Sequence, residues 1–182
     1  MGKYILIGVP SCGKTTLGKA VAKKLELPFF DTDEMTIKSL NLNDPIEQFF
    51  YSNQVRFYHG QYDVVKQLEV HTDPAIIATG AEVALMPQCA PLLKKMGTVI
   101  YIKRRVEDII KEVEERERAQ GRRMVVSVND GEAKSMRVES VKLYAEEVSQ
   151  YEEVADVILK NDASEDEAVS RLSSIIEQMM GC

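Results

Sequence analysis

The chain has 182 residues, 45% of them hydrophobic and 29% charged, with a formal net charge of −6. That balance fits one soluble globular domain with a substantial core. The acid excess argues against a nucleic-acid partner, which demands basic patches, and no apolar run approaches the ~18 residues of a membrane span. Three cysteines, Cys12, Cys89 and Cys182, are far apart and lack zinc-ligand spacing. They suit a reducing cytoplasm, and a monomer is expected.

In chain order, the apolar run Tyr4-Ile5-Leu6-Ile7 predicts a buried strand, and it leads directly into Gly8-Val9-Pro10-Ser11-Cys12-Gly13-Lys14-Thr15. That is a complete G-x-x-x-x-G-K-T phosphate loop, followed by Leu17, Ala20, Val21 and Leu25 at helical spacing. Successive backbone N–H groups of such a loop wrap a β-phosphate, and the positive end of the following helix adds to the attraction. The chain thus calls for ATP with Mg²⁺. Gly8, Pro10, Ser11, Cys12, Gly13, Lys14, Thr15 and Thr16 form the candidate nucleotide site. In it Lys14 bridges the β- and γ-phosphates and Thr15 ligates the metal.

Pro28-Phe29-Phe30-Asp31 predicts a short strand ending in a carboxylate. A long, mostly helical region follows from about 34 to 69, with Asn43-Asp44-Pro45 as a capping signal inside it. Residues 74–79 predict a third strand closed by Gly80, 91–96 a short helix and 98–102 a fourth strand. Residues 106 to about 120 predict a very charged helix, and 121–131 a mobile loop. A helix over about 132–153 follows, then a strand over 155–159. A closing helix over 164–180 has Ser164 as its cap. Strands alternating with helices predict a parallel sheet covered on both faces. Ligands then belong at the carboxyl ends of the strands, where the phosphate loop, Asp31 and Thr79-Gly80 fall. Asp31 and Asp33, one residue apart at a strand end, suit one carboxylate near a metal and the other near a substrate; the competing reading is a pair of solvated acids capping the next helix. His59 and His71 have no ligand spacing and read as surface or core residues.

Taken together, the phosphate loop, Leu17-Gly18-Lys19-Ala20, Pro28 to Asp33, Ile77-Ala78-Thr79-Gly80 and Tyr151 to Asp156 resemble the shikimate kinase family. The resemblance spans nearly the whole chain. It implies a single three-layer α/β/α P-loop domain over 1–182 with a five-stranded parallel sheet, a helical substrate-binding region near 34–69 and a mobile lid near 116–131. It also implies a phosphotransferase that moves the γ-phosphate of ATP to a hydroxyl of a small metabolite, shikimate by default. Asp31 would then support Mg²⁺ beside Thr15, and Asp33 would bind the acceptor hydroxyl as base or orienter. Arg116 would stack on adenine and Arg123 would close on the γ-phosphate, with Arg122 a near-equal alternative. A solvated Glu/Arg helix face is the plainer reading of both.

The acceptor side departs from the family pattern. The positions of the two carboxylate-binding arginines fall on Tyr58 and Glu147, and the Gly-Gly-Gly turn becomes Gly80-Ala81-Glu82. Losing such pairs in a desolvated site costs on the order of 2–5 kcal/mol each. Arg56, Arg137 or Lys142 can restore the cation if the 123–151 segment runs in a different register. The alternatives are a kinase of another polyol or sugar acid, or a weak or inactive nucleotide-binding regulatory or scaffold protein. The aromatic residues Phe49, Phe50, Tyr51, Phe57, Tyr58 and Tyr62 fit a core-packing helix better than a ligand box.

Overall fold

The run Lys3–Ile7 is buried at every residue, as a strand covered on both faces must be. The computed structural model describes residues 2–42, 54–71, 73–121, 125–127 and 133–181. Among these the strands are β1 (Lys3–Ile7), β2 (Phe29–Asp31), β3 (Ile76–Ala78), β4 (Gly97–Lys103), β5 (Val125–Ser127), β6 (Ala133–Ser135) and β7 (Val157–Lys160). The helices are α1 (Lys14–Leu25), α2 (Thr32–Leu40), α3 (Gln54–Glu69), α4 (Ala90–Met96), α5 (Val106–Gln120), α6 (Met136–Ala145), α7 (Val148–Val154) and α8 (Glu165–Met180). A five-stranded parallel sheet runs in the order β2-β3-β1-β4-β7, with Ile5 opposite both Ile77 and Val99.

That order locates the ligand crevice. From β1 the chain crosses through α1 to β2 on one side of the sheet, whereas from β3 it crosses through α4 to β4 on the other. Right-handed crossovers in opposite directions put α1 and α4 on opposite faces. The closing helix α8 packs on α1, and α7 packs on β4. Neighbouring strands β1 and β3 therefore send their chains to opposite faces, which opens a crevice at their carboxyl ends. Beneath it lie Ile5, Leu6, Ile7, Ile76, Ile77 and Ile100, all fully buried, and the stacked rings of Tyr101 and Tyr151, 5.5 Å apart. The three-layer α/β P-loop fold expected from the sequence holds.

Two expectations need correction. The segment 121–131, read as a loop, contributes β5, which pairs antiparallel with β6 through Val126 and Lys134. Three-residue strands are too short to show a period-2 signal. The helix expected over 132–153 is instead β6, α6 and α7. It starts late because the Ser135 hydroxyl accepts a hydrogen bond from the Val138 N–H and caps α6. It breaks at Glu146-Glu147 because its halves have different partners: α6 packs on α5, and α7 on β4 and the 3-10 turn Val83–Leu85. The region 34–69 comprises most of α2, which begins at Thr32 on an Asp31 cap, and α3. Asn43-Asp44-Pro45, Phe49, Phe50, Tyr51 and Cys182 lie outside the described residues. Cys12 and Cys89 are buried free thiols, and no described helix is long and apolar enough to cross a membrane.

Candidate active site

The phosphate loop leaves β1 through residues that accept left-handed backbone conformations, Gly8 at φ +139°, Ser11 at +60° and Gly13 at +110°. Gly13 has a second reason to lack a side chain: a Cβ there would lie 2.7 Å from Asn161 Nδ2. The buried Lys14 ammonium donates to the carbonyls of Gly8 (2.8 Å) and Val9 (2.9 Å), which holds it over the loop it must serve. The Thr15 hydroxyl donates to Asp31 Oδ2 at 2.8 Å. Asp31 Oδ1 accepts from the N–H groups of Asp33 (3.0 Å) and Glu34 (3.2 Å), so one buried carboxylate caps α2 and meets Thr15. A hydroxyl and a carboxylate oxygen side by side are hard donors of the type Mg²⁺ takes, alongside phosphate oxygens and water.

A cavity of about 600 Å³ runs from this loop to a second polar cluster. Lys14, Thr15, Asp31, Asp33, Glu82 and Arg116 all face it, and so do Pro10, Ser11, Gly13, Thr16 and Ala81. Gly8 and Cys12 lie behind the loop and are fully packed, with Cys12 buried. In the second cluster Gln61 Nε2 donates to Asp33 Oδ1. Gly80 lies directly behind the same oxygen, its N–H bonded to Thr32 Oγ1 at 2.8 Å. Glu82 Oε1 and Gln61 Oε1 are shielded from solvent with no hydrogen-bond partner among the described residues. Burial, and then the charge of Asp33, push the Glu82 carboxyl up to about 8, opposed by its own backbone and by Lys14.

The remaining sequence candidates divide. Tyr58 is half-buried behind the cavity wall and bonds to Tyr144, which faces the cavity; burial raises both phenols and Glu82 raises them further. Glu147 is not in the wall: it precedes α7 and accepts a hydrogen bond from Gln150. Arg137, one of the three substitute cations, does face the cavity from α6. Arg116 lies on α5, where Glu112 holds it with one oxygen and Arg104 with the other, at 2.5 and 2.6 Å. Arg122 and Arg123 lie outside the described residues.

Two residues escaped the sequence reading. Gln61 is fully buried on the face of α3 that also buries Phe57, Gly60, Val64, Val65 and Leu68. A polar residue at a core position of a helical period is itself the signal that could have found it. Asn161, just past β7, donates from Nδ2 to the Cys12 carbonyl at 2.8 Å, across 149 residues of sequence. No local pattern announces it.

The family model for shikimate kinase matches residues 10–179. The chain belongs to the shikimate kinase family. Members are ATP-dependent phosphotransferases that act on a hydroxyl of a small molecule. A shikimate kinase of Clostridium botulinum (strain Eklund 17B / Type B) is 31% identical over 178 residues, covering 96% of each chain. One from Francisella tularensis subsp. holarctica (strain FTNF002-00 / FTA) is 28% identical over 172 residues, covering 94% of this chain and 92% of the relative. Among solved structures, the Acinetobacter baumannii shikimate kinase in complex with shikimate superposes with a TM-score of 0.76 at 21% identity, over 99% of this chain and 93% of that one. The Aquifex aeolicus vf5 enzyme gives 0.70 at 23% identity, over 99% of both chains. At those identities the structures speak for the shikimate kinase fold, while the sequence match carries the family.

Proposed function

We propose that this chain transfers the γ-phosphoryl group of Mg-ATP to a hydroxyl of a small metabolite, with shikimate as the acceptor to test first. The observation that carries the reading is the single cavity joining Lys14 and the Thr15–Asp31 pair to Asp33. Phosphoryl transfer needs little more than positioning and charge neutralisation, so a phosphate cradle facing a carboxylate is sufficient apparatus.

Bound Mg-ATP supplies the transferable group and the metal charge; the chain's own residues hold and orient. Lys14 exchanges the Gly8 and Val9 carbonyls for phosphate oxygens. Thr15 and Asp31 hold Mg²⁺, directly or through water. Asp33, its Oδ1 occupied by Gln61, turns its other oxygen to the acceptor hydroxyl and accepts its proton as transfer proceeds. Arg116 takes the adenine side and Arg123, or Arg122, brings positive charge to the transferred group. Residues 34–69 and 116–131 serve as acceptor-binding region and lid.

For the acceptor's carboxylate, Arg137 is the cation we assign, because it faces the cavity where Glu147 does not. Glu82 puts a carboxyl that keeps its proton up to about pH 8 in the same wall, and that hydrogen-bonding group favours a second reading, a neutral polyol as acceptor. We further take the protein to act as a cytoplasmic monomer, in keeping with its buried free thiols. An ADP-release assay with Mg-ATP tests the transfer reaction and its acceptor, run with shikimate and with neutral and amino-substituted polyols. Saturable turnover with shikimate that Arg137→Met weakens at least tenfold in kcat/KM is the expected result. Turnover with a polyol alone selects the second reading, and no acceptor-dependent turnover rejects both.

A further inference from the structure

The phosphate loop works only if its backbone N–H groups point inward, which leaves the carbonyls of the same peptides pointing outward and in need of partners. Cys12 is fully buried, so water cannot serve its carbonyl. The partner is Asn161 Nδ2 at 2.8 Å. A trans peptide directs its C=O and N–H in opposite senses. A carbonyl fixed on Asn161 therefore turns the N–H of Gly13, whose residue faces the cavity, away from Asn161. Gly13 has φ +110° and no side chain to restrict it, so the Asn161 bond adds to the two backbone bonds that flank this peptide, Cys12 N–H to the Val9 carbonyl and Leu17 N–H to the Gly13 carbonyl.

Asn161 is itself held firmly. Its N–H donates to the Lys103 carbonyl at the end of β4 at 2.8 Å. Arg171 on α8 bonds the neighbouring Lys160 carbonyl (3.4 Å) and Asp162 carboxylate (3.0 Å). The side chain that orients the loop thus projects from a segment tied to both the sheet and the closing helix.

We propose that Asn161 is a positioning residue for nucleotide phosphates: its amide fixes the Cys12–Gly13 peptide so that the Gly13 N–H is presented to the phosphate chain. This rests on the nucleotide reading of the loop. It concerns the phosphates and not the base, although Asn161 also lines the cavity.

Titration calorimetry of ADP and of adenosine with the wild-type chain, Asn161→Ala and Asn161→Leu tests it. Neither substitution adds charge, and leucine keeps the volume. Expected is a loss of about tenfold in ADP affinity in both variants, with adenosine affinity unchanged, since a buried carbonyl loses its donor and the loop its orientation. In turnover, KM for ATP should rise while KM for the acceptor stays put. Equal losses for ADP and adenosine would overturn the proposal, because Asn161 would then be reading the base. So would an unchanged ADP affinity in a wild-type background that binds ADP. A wild-type chain that binds no ADP would overturn the nucleotide reading and this proposal with it.

Discussion

Lys14 and Asp33 both face one cavity but with different partners, the phosphate-loop carbonyls for Lys14 and Gln61 for Asp33, and that difference divides their effects. Lys14→Ala removes the charge that faces the phosphates, so both nucleotide affinity and turnover should fall, affinity by at least tenfold. Asp33→Asn keeps the shape and a contact to Gln61 but removes the proton acceptor. Its turnover should fall about 10²-fold or more, with ADP affinity within a factor of two of wild type. Calorimetry beside a steady-state assay separates the two, and unchanged turnover in Asp33→Asn removes Asp33 from the mechanism. Glu82 makes a different kind of statement. In the unfolded chain its carboxyl titrates near 4.5, and in the folded chain near 8. Between those values the folded state keeps a proton that the unfolded state has released. Stability therefore falls as pH rises through that window and is flat outside it. Glu82→Gln is neutral throughout, so its stability relative to wild type should rise as the pH goes from 4 to 8.5. Urea titrations at the two pH values check this, and equal differences at both would show that Glu82 ionises normally.

At the scale of elements, legibility followed the range of the interaction. The phosphate loop, its strand and its helix are contiguous, and Asp31 announces α2 by capping it two and three residues ahead. The break between α6 and α7 could not be read, because it is set by separate packing partners on α5 and on β4 and not by any breaker residue. Gln61 reaches Asp33 across 28 residues and Asn161 reaches Cys12 across 149, distances over which a periodic pattern carries no information. The start of α6 lay between these cases. Ser135 caps α6, and its hydroxyl also donates to Glu117 on α5 at 2.8 Å, with both residues buried. That pair joins the end of one helix to the start of the next, at the base of the β5–β6 ribbon. Ser135→Ala removes the cap and one partner of a buried carboxylate together, so a loss of about 2 kcal/mol is expected, more than a cap alone. Ser135→Thr, which keeps the hydroxyl, should recover most of it in the same unfolding experiment.

The whole molecule brings three strand ends to one point: the loop after β1, Asp31 to Asp33 after β2, and Thr79-Gly80 after β3. Thr79 is bonded to the Leu6 carbonyl through both its N–H and its hydroxyl, each at 3.1 Å, so the end of β3 is fixed to the end of β1. Gly80 then fills the space behind the acceptor cluster. A Cβ at this position would stand 2.4 Å from Asp33 Oδ1 and 3.0 Å from both Gln61 Nε2 and Glu82 Oε1. No backbone atom is that close, so the fold can accept an alanine by letting side-chain tips move. The tips that must move are those we propose orient the acceptor. Gly80→Ala should therefore leave stability within about 1 kcal/mol of wild type while kcat falls at least tenfold, since an ångström of misplacement is expensive in a transfer reaction. ADP affinity should not change, because the nearest atoms a Cβ would meet belong to Asp33, Gln61 and Glu82 and not to the phosphate loop. A variant with full activity would mean that Asp33 is free to reposition and that the geometry behind it does not set the rate. A variant that fails to fold would mean that the joint at β3 is needed for the sheet itself, and Gly80→Ser, larger again, would then fail in the same way.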